Sequence, residues 1–229
     1  MKMFSNKERR EKRLSQKISS DKLITPQKYN MIMSGAIFYG IVLNALLCIL
    51  LGDAITKVSI GTVLIPYFIF TILGIVMTVK SENPVISFIG YNLVVIPVGV
   101  TLSAVVSEYG GLASNIVVEA FTYTVIITAV MVVLGMIFPD FFSRLGRVLL
   151  TCLFVLVVIQ LLGLLFNFTI PVLSWISAGL FSLYIGYDFY RSQAYSKTVN
   201  NAINSALDLY LDIINLFIDI LEIVAKNKK

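Results

Sequence analysis

The chain has 229 residues, of which 58% are apolar and 14% charged, whereas a soluble domain carries charge on about 25% of its positions. The charge is also uneven. Positions 1–30 hold nine Lys and Arg and three Asp and Glu, while the rest of the chain holds nine basic and ten acidic residues. This composition excludes a secreted disulfide scaffold, a soluble nucleic-acid binder and a disordered chain, and it indicates a membrane protein.

Two cysteines and the absence of histidine limit the chemistry of the chain. Cys48 and Cys152 stand in separate apolar runs, which favours two buried thiols over a metal cluster. A chain without histidine has neither the Ser-His-Asp nor the Cys-His form of nucleophilic catalysis. We therefore expect neither an enzyme nor a bound cofactor.

Seven apolar segments are close to the length of about 20 residues that crosses a hydrocarbon core. They predict an all-α polytopic membrane protein with a basic cytoplasmic leader at 1–29, a seven-helix domain at 30–225 and a short basic tail at 226–229. The predicted spans are 31–52, 58–79, 84–106, 114–138, 147–167, 170–190 and 202–224.

Lys and Arg in the short loops predict the orientation of these spans. If the leader is cytoplasmic, the inner side collects fourteen of them and the opposite loops hold only Lys57. Three C-terminal lysines oppose this orientation, because seven spans would place them outside. They are Lys226, Lys228 and Lys229. We predict a cytoplasmic N-terminus and leave the side of the C-terminus open. The leader is either a flexible topogenic tail or a contact for anionic lipid.

The last span carries a stripe of acidic and amide side chains. At about 100° per residue, its polar groups fall within an arc of about 80° on a helix that is otherwise apolar. A helix lying in the membrane interface would carry a basic polar face, so the acidic stripe favours the wall of a polar cavity inside a bundle. The stripe consists of Asn201, Asn204, Asp208, Asp212, Asn215, Asp219 and Glu222.

The sixth span supplies a carboxylate that can face this stripe. Asp188 shares a helical face with Ser177, Phe181, Tyr184 and Arg191. Two facing carboxylates at low dielectric share a proton and titrate as a pair, so Asp188 and Asp212 would form a pH sensor without histidine. When both are ionised, the oxygen-lined cavity suits transient binding of a hard cation such as calcium.

Further candidates for lining a pore or binding a cation are Asn215, Asp219 and Tyr184, together with two acids whose roles stay open. Glu119, one turn into the fourth span, either lines the same cavity or pairs near the outer end of its helix. Asp208 either adds a cation ligand or is a solvated group near a helix start.

Three stretches resemble the Bax inhibitor-1 family, the transmembrane Bax inhibitor motif proteins, and particularly its bacterial members. They are VVEAF at 117–121, SLYIGYD at 182–188 and ALDLYLDIINLFIDIL at 206–221. The resemblance implies six helices around a central C-terminal seventh, and a pH-sensitive calcium leak channel of the bacterial plasma membrane.

The resemblance also implies roles for particular residues. Asp188 and Asp212 would share a proton in the closed state and separate on opening. Bacterial members have an arginine at the end of the second helix that interacts with this pair, and Lys80 stands at that position here. Lys80 and Arg191 are therefore the candidates for a cationic latch.

Two other functions remain open. In a proton/cation antiporter the same carboxylates would couple the two fluxes, although no internal repeat is evident between the halves of the chain. A regulatory protein would act by binding other membrane proteins, with the leader as its distinguishing feature. The expected partners are calcium ions, protons and membrane lipid, with membrane proteins as further partners and no nucleic acid.

Overall fold

The computed structural model describes residues 23–228 except positions 56–57, 59, 167–169 and 171. Most of the predicted basic leader, residues 1–22, lies outside the described residues. Within the described part the chain forms seven helices and no strand, so the predicted all-α fold is confirmed. The helices are α1 (Pro26–Ile55), α2 (Ile60–Lys80), α3 (Pro84–Glu108), α4 (Asn115–Ile137), α5 (Pro139–Phe166), α6 (Leu173–Ala194) and α7 (Val199–Asn227).

Helices α1 to α5 are long and apolar enough to cross a membrane. The last two are 22 and 29 residues long, which at about 1.5 Å per residue also spans a hydrocarbon core. Their acidic and amide side chains make them less apolar than the first five. All seven helices overlap the predicted spans, but α5 begins at Pro139 instead of residue 147, because a polar turn containing Arg144 continues the helix ahead of its apolar run.

Side chains just before the helices fix where several of them begin. Asn83 precedes α3, and its side-chain oxygen accepts a hydrogen bond from the backbone N–H of Val85 at 2.9 Å. Thr198 precedes α7, and its hydroxyl accepts one from the N–H of Asn201 at 3.1 Å. Each cap satisfies one N–H that the first turn of a helix leaves unpaired.

Helix α7 occupies the centre of the bundle. It packs against α1, α2, α3, α4 and α6, and most of its residues are buried. On its apolar side Tyr210 is fully buried, and its hydroxyl accepts a hydrogen bond from Asn44 Nδ2 at 2.5 Å. Helix α5 packs mainly on α6. The predicted central position of the C-terminal helix is therefore confirmed.

The two cysteines have different environments. Cys48 is buried in the bundle, as the sequence predicts, whereas Cys152 is exposed on α5. The prediction of a buried thiol is wrong for Cys152, because α5 turns that face away from the other helices. An apolar surface of this kind is expected where a helix faces lipid.

Glycine permits close contact between α6 and its neighbours. A Cβ atom at Gly186 would lie against the ring of Phe142, and one at Gly135 would lie 2.7 Å from the carbonyl oxygen of Gly186. Small residues at such contacts let helix backbones approach in a membrane. This packing holds in place the helix that carries Asp188.

We expect Gly186→Ala to destabilise the protein by about 1–3 kcal/mol, because the added methyl group overpacks this contact. Thermal unfolding of the detergent-solubilised protein measures the effect. Gly179→Ala is the matched control on the same helix, since its added Cβ would meet no atom within 4 Å among the described residues, apart from its chain neighbours and the backbone of its own helix. Equal unfolding temperatures for the Gly186→Ala variant and the wild type would contradict this packing.

Candidate functional site

A cavity of about 520 Å³ lies between α5, α6 and α7. Along α7 it extends from Asp208 to Asp219, a distance of about 16 Å at the rise of an α-helix. One wall is therefore a series of carboxylate and amide groups, while α5 contributes a largely apolar wall. The lining residues with oxygen atoms in their side chains are Gln160, Ser177, Tyr184, Asp188, Asp208, Asp212, Asn215 and Asp219.

Asp188 and Asp212 meet in this cavity. Each is 7% exposed, and both side chains line the cavity where α6 packs on α7. Oδ2 of Asp212 is enclosed, and no N–H or O–H group of the described residues donates to it. An enclosed carboxylate oxygen without a donor is costly. A proton shared with Asp188, or a bound cation, would satisfy it.

Arg191 is the cation that contacts the pair. Its Nη1 lies 2.6 Å from Oδ1 of Asp188, and its Nη2 lies 3.7 Å from Oδ2 of Asp208. Its Nε donates to the hydroxyl of Tyr195 at 2.8 Å, and the guanidinium lies 5.3 Å from the ring centre of Tyr187. One guanidinium thus links carboxylates on α6 and α7 at one end of the cavity.

Lys80, the other predicted latch, makes no ion pair with Asp188 or Asp212 in the described part of the chain. It is exposed at the end of α2, and within the described part of the chain the ion pairs of Asp188 and Asp208 are made by Arg191. Helix α2 packs on α3 and touches α7 only slightly. The backbone carbonyl of Ser81, next to Lys80, accepts a hydrogen bond from Nδ2 of Asn200 in the first turn of α7 at 3.0 Å. Lys80 therefore lies near the start of α7, and its role as a latch stays a prediction.

Asp208 lies nine residues after Val199, where α7 begins, so it is not a group near the helix start, and its role as a cation ligand stays a prediction. Its side chain lines the cavity and is 31% exposed, so it is both accessible and close to Arg191. Asn201 and Asn204, earlier in the stripe, are buried but are not among the residues that line the cavity. Asn201 Nδ2 instead donates to the backbone carbonyl of Ser196 at 2.9 Å, which braces the connection between α6 and α7.

Lys197 strengthens the same connection. Its Nζ donates to the backbone carbonyls of Ser192 at 3.0 Å and Gln193 at 2.8 Å, which lie in the last turn of α6. The ammonium also lies 4.4 Å from the ring centre of Tyr29 on α1. Burial lowers the pKa of Lys197 from its ordinary value. These contacts hold the ends of three helices together beside Arg191.

Glu119 pairs at a helix end and is not among the residues that line the cavity. It forms an ion pair with Lys228 and accepts a hydrogen bond from the hydroxyl of Tyr123 at 3.1 Å. Lys226 likewise pairs with Glu222 at 2.6 Å.

Gln160 and the contact between Ser177 and Asp219 are features of the cavity that the sequence analysis missed. Ser177 Oγ donates to Oδ2 of Asp219 at 2.6 Å. Gln160 is a single amide within the otherwise apolar run LFVLVVIQLLGLLF. A lone amide in the middle of a span is the signal that could have identified it.

The described residues contain no group of three or more His, Cys, Asp or Glu side chains able to hold a metal ion together. A cation in this cavity would be bound by one or two carboxylates with neutral oxygen atoms and water completing its shell. Such a ligand set is typical of weak, exchangeable binding of a hard cation.

Relatives of the chain occur in bacteria. An uncharacterised protein of Helicobacter pylori (strain ATCC 700392 / 26695) is 33% identical over 108 residues, which is 46% of each chain. An uncharacterised protein of Campylobacter jejuni is 34% identical over 111 residues, covering 48% of this chain and 47% of that protein. The chain thus spans about half the length of the curated relatives it matches.

The sequence model of one protein family covers nearly all of the described structure. That family is described as "Inhibitor of apoptosis-promoting Bax1", and its model matches residues 25–229. The match includes all seven helices and the cavity beside α7. The chain therefore belongs to this family of Bax inhibitor membrane proteins, as the resemblance predicted.

Proposed function

We propose that this protein is a calcium leak channel whose pathway follows the acidic face of α7, and whose opening depends on the protonation of Asp188 and Asp212. The observation that carries the proposal is the enclosed Oδ2 of Asp212, which lies beside Asp188 and has no donor among the described residues. A proton and a cation are alternative partners for this oxygen. The same two groups would therefore sense pH and bind the ion.

The shared proton connects two helices, since Asp188 belongs to α6 and Asp212 to α7. Two carboxylates in a low-dielectric site cannot both stay ionised cheaply, and two protonated groups lose their charge-assisted hydrogen bond. A change of protonation in either direction thus weakens the contact between α6 and α7. Separation of these helices would widen the cavity that lies against them.

Calcium is the ion that we propose. The cavity offers carboxylate, amide and hydroxyl oxygens, which are the donors that calcium prefers. A leak pathway also requires binding that is weak enough for release. Carboxylates spread along one helix face, without a cluster of three acids among the described residues, match this requirement.

We further propose that the protein lies in a bacterial plasma membrane with its N-terminus in the cytoplasm. The relatives in Helicobacter pylori and Campylobacter jejuni support a bacterial membrane. The excess of Lys and Arg in the leader and alternate loops supports the orientation. The three C-terminal lysines, Lys226, Lys228 and Lys229, are the feature that opposes it.

Flux measurements in vesicles test the proposal. The purified protein is reconstituted into vesicles that contain a calcium dye, and a calcium gradient or a pH gradient is imposed separately. We expect calcium to move down its own gradient, and no uphill movement when only protons are driven. Uphill calcium movement would instead establish a proton/cation antiporter. A folded protein that moves no calcium under either gradient would reject transport and favour a regulatory role through membrane partners.

A further inference from the structure

Asp219 is a second enclosed carboxylate in the cavity. It lies on the same face of α7 as Asp212, about 10 Å further along the helix, and it is 8% exposed. Its Oδ2 accepts the hydrogen bond from Ser177, and none of the ion pairs among the described residues includes Asp219. A carboxylate enclosed at membrane depth without a cation is expensive and marks a functional site.

Side chains with neutral oxygen atoms line the same cavity as this carboxylate. Nδ2 of Asn215 donates to the backbone carbonyl of Leu211 at 2.8 Å, which leaves its Oδ1 available to a ligand. Gln160 supplies a second amide from α5, across the cavity from α7. The hydroxyl of Ser177 is fully buried. One carboxylate with two amides and a hydroxyl is a set of hard ligands from three helices.

We propose that Asp219, Asn215, Gln160 and Ser177 form a second cation station, separate from the pair Asp188–Asp212. The inference rests on the proposed function, because it takes the cavity to be an ion pathway. A single carboxylate gives this station a weak affinity, of about 10⁻⁴–10⁻³ M for calcium. Two cations about 10 Å apart in a confined space repel each other, so occupancy of one station would promote release from the other.

Equilibrium binding of radioactive calcium to the full chain in detergent tests the second station. The wild type should bind calcium in a tighter and a weaker phase. Asp219→Asn should remove the weaker phase, with an affinity loss of at least about tenfold, and Asp212→Asn should remove the tighter one. Ser177→Ala should weaken only the weaker phase.

Glu222→Gln is the matched control. Glu222 is an acid one turn beyond Asp219, it pairs with Lys226, and it does not line the cavity. This variant should therefore retain both phases. If Asp219→Asn fails to fold, Ser177→Ala and Asn215→Leu provide the same test.

The outcomes separate the second station from the proposed function. Two unchanged phases in the Asp219→Asn or Ser177→Ala variants would overturn the station. A wild type that binds calcium in a single phase, which Asp212→Asn removes, would also overturn the second station. Calcium flux in vesicles would in that case still support the channel. A wild type that neither binds nor conducts calcium would overturn both proposals.

Discussion

Replacing Asp212 with asparagine should abolish the pH dependence of calcium flux between about pH 6 and about pH 8. Asparagine keeps the shape of the side chain but does not titrate, so no proton is shared with Asp188. The remaining carboxylate keeps its ion pair with Arg191. The calcium flux of the wild type should change at least about tenfold over this range, whereas the flux of the variant should stay constant. Measurements in dye-loaded vesicles at a series of pH values compare the two.

Two further variants make this result specific. Asp188→Asn should flatten the profile in the same way, because it removes the other half of the pair. Glu222→Gln should keep the wild-type profile, since Glu222 lies on the same helix but pairs with Lys226 outside the cavity. If the flux of Asp212→Asn follows the wild-type profile, the pH response arises elsewhere in the protein.

Replacing Arg191 with glutamine should have two effects. The first is a loss of stability of about 2–3 kcal/mol, because the enclosed carboxylate of Asp188 loses its counter-ion. The second is an increase in the calcium affinity of the pair of at least about tenfold, because the tethered guanidinium no longer competes for Asp188 and Asp208. Unfolding experiments and radioactive calcium binding measure the two effects on the same samples.

Lys80→Gln and Arg191→Lys provide the comparison. Lys80→Gln should change neither quantity, because Lys80 makes no ion pair with these carboxylates in the described part of the chain. Arg191→Lys should give an intermediate result, because it keeps the charge but loses the fork that bonds Asp188 and Tyr195 together. If Lys80→Gln and Arg191→Gln behave alike, Arg191 is not the cation that holds the pair.

Sequence periodicity predicted much of the cavity, because the distribution of polar groups around α7 follows directly from helical geometry. The same argument placed Tyr184 and Asp188 on one face of α6. The prediction that they lie beside Asp212 was supported by the resemblance of SLYIGYD at 182–188 and ALDLYLDIINLFIDIL at 206–221 to the Bax inhibitor-1 family. Periodicity relates residues that are close together on one helix, and the resemblance relates motifs with a fixed separation in the sequence.

The remaining contacts depend on how the helices pack, which periodicity does not determine. Arg191 makes the ion pairs with Asp188 and Asp208, and the packing of α6 on α7 that brings these groups together does not follow from periodicity. Gln160 was missed although it is the single amide of its apolar run, because the apolar residues around it do not indicate which face α5 turns inward. The ion pair between Glu119 and Lys228 joins the beginning of α4 to the end of α7, and one sequence alone does not indicate such a pairing.

Proton release on calcium binding tests the central claim most directly, because a proton and a calcium ion are taken to compete for the same two carboxyl groups. Calcium is added to the weakly buffered wild-type protein in detergent, and a pH dye records the protons released. Binding at the pair should release about one proton per calcium ion, and Asp212→Asn should remove this release. Calcium binding by the wild type without proton release would contradict the account.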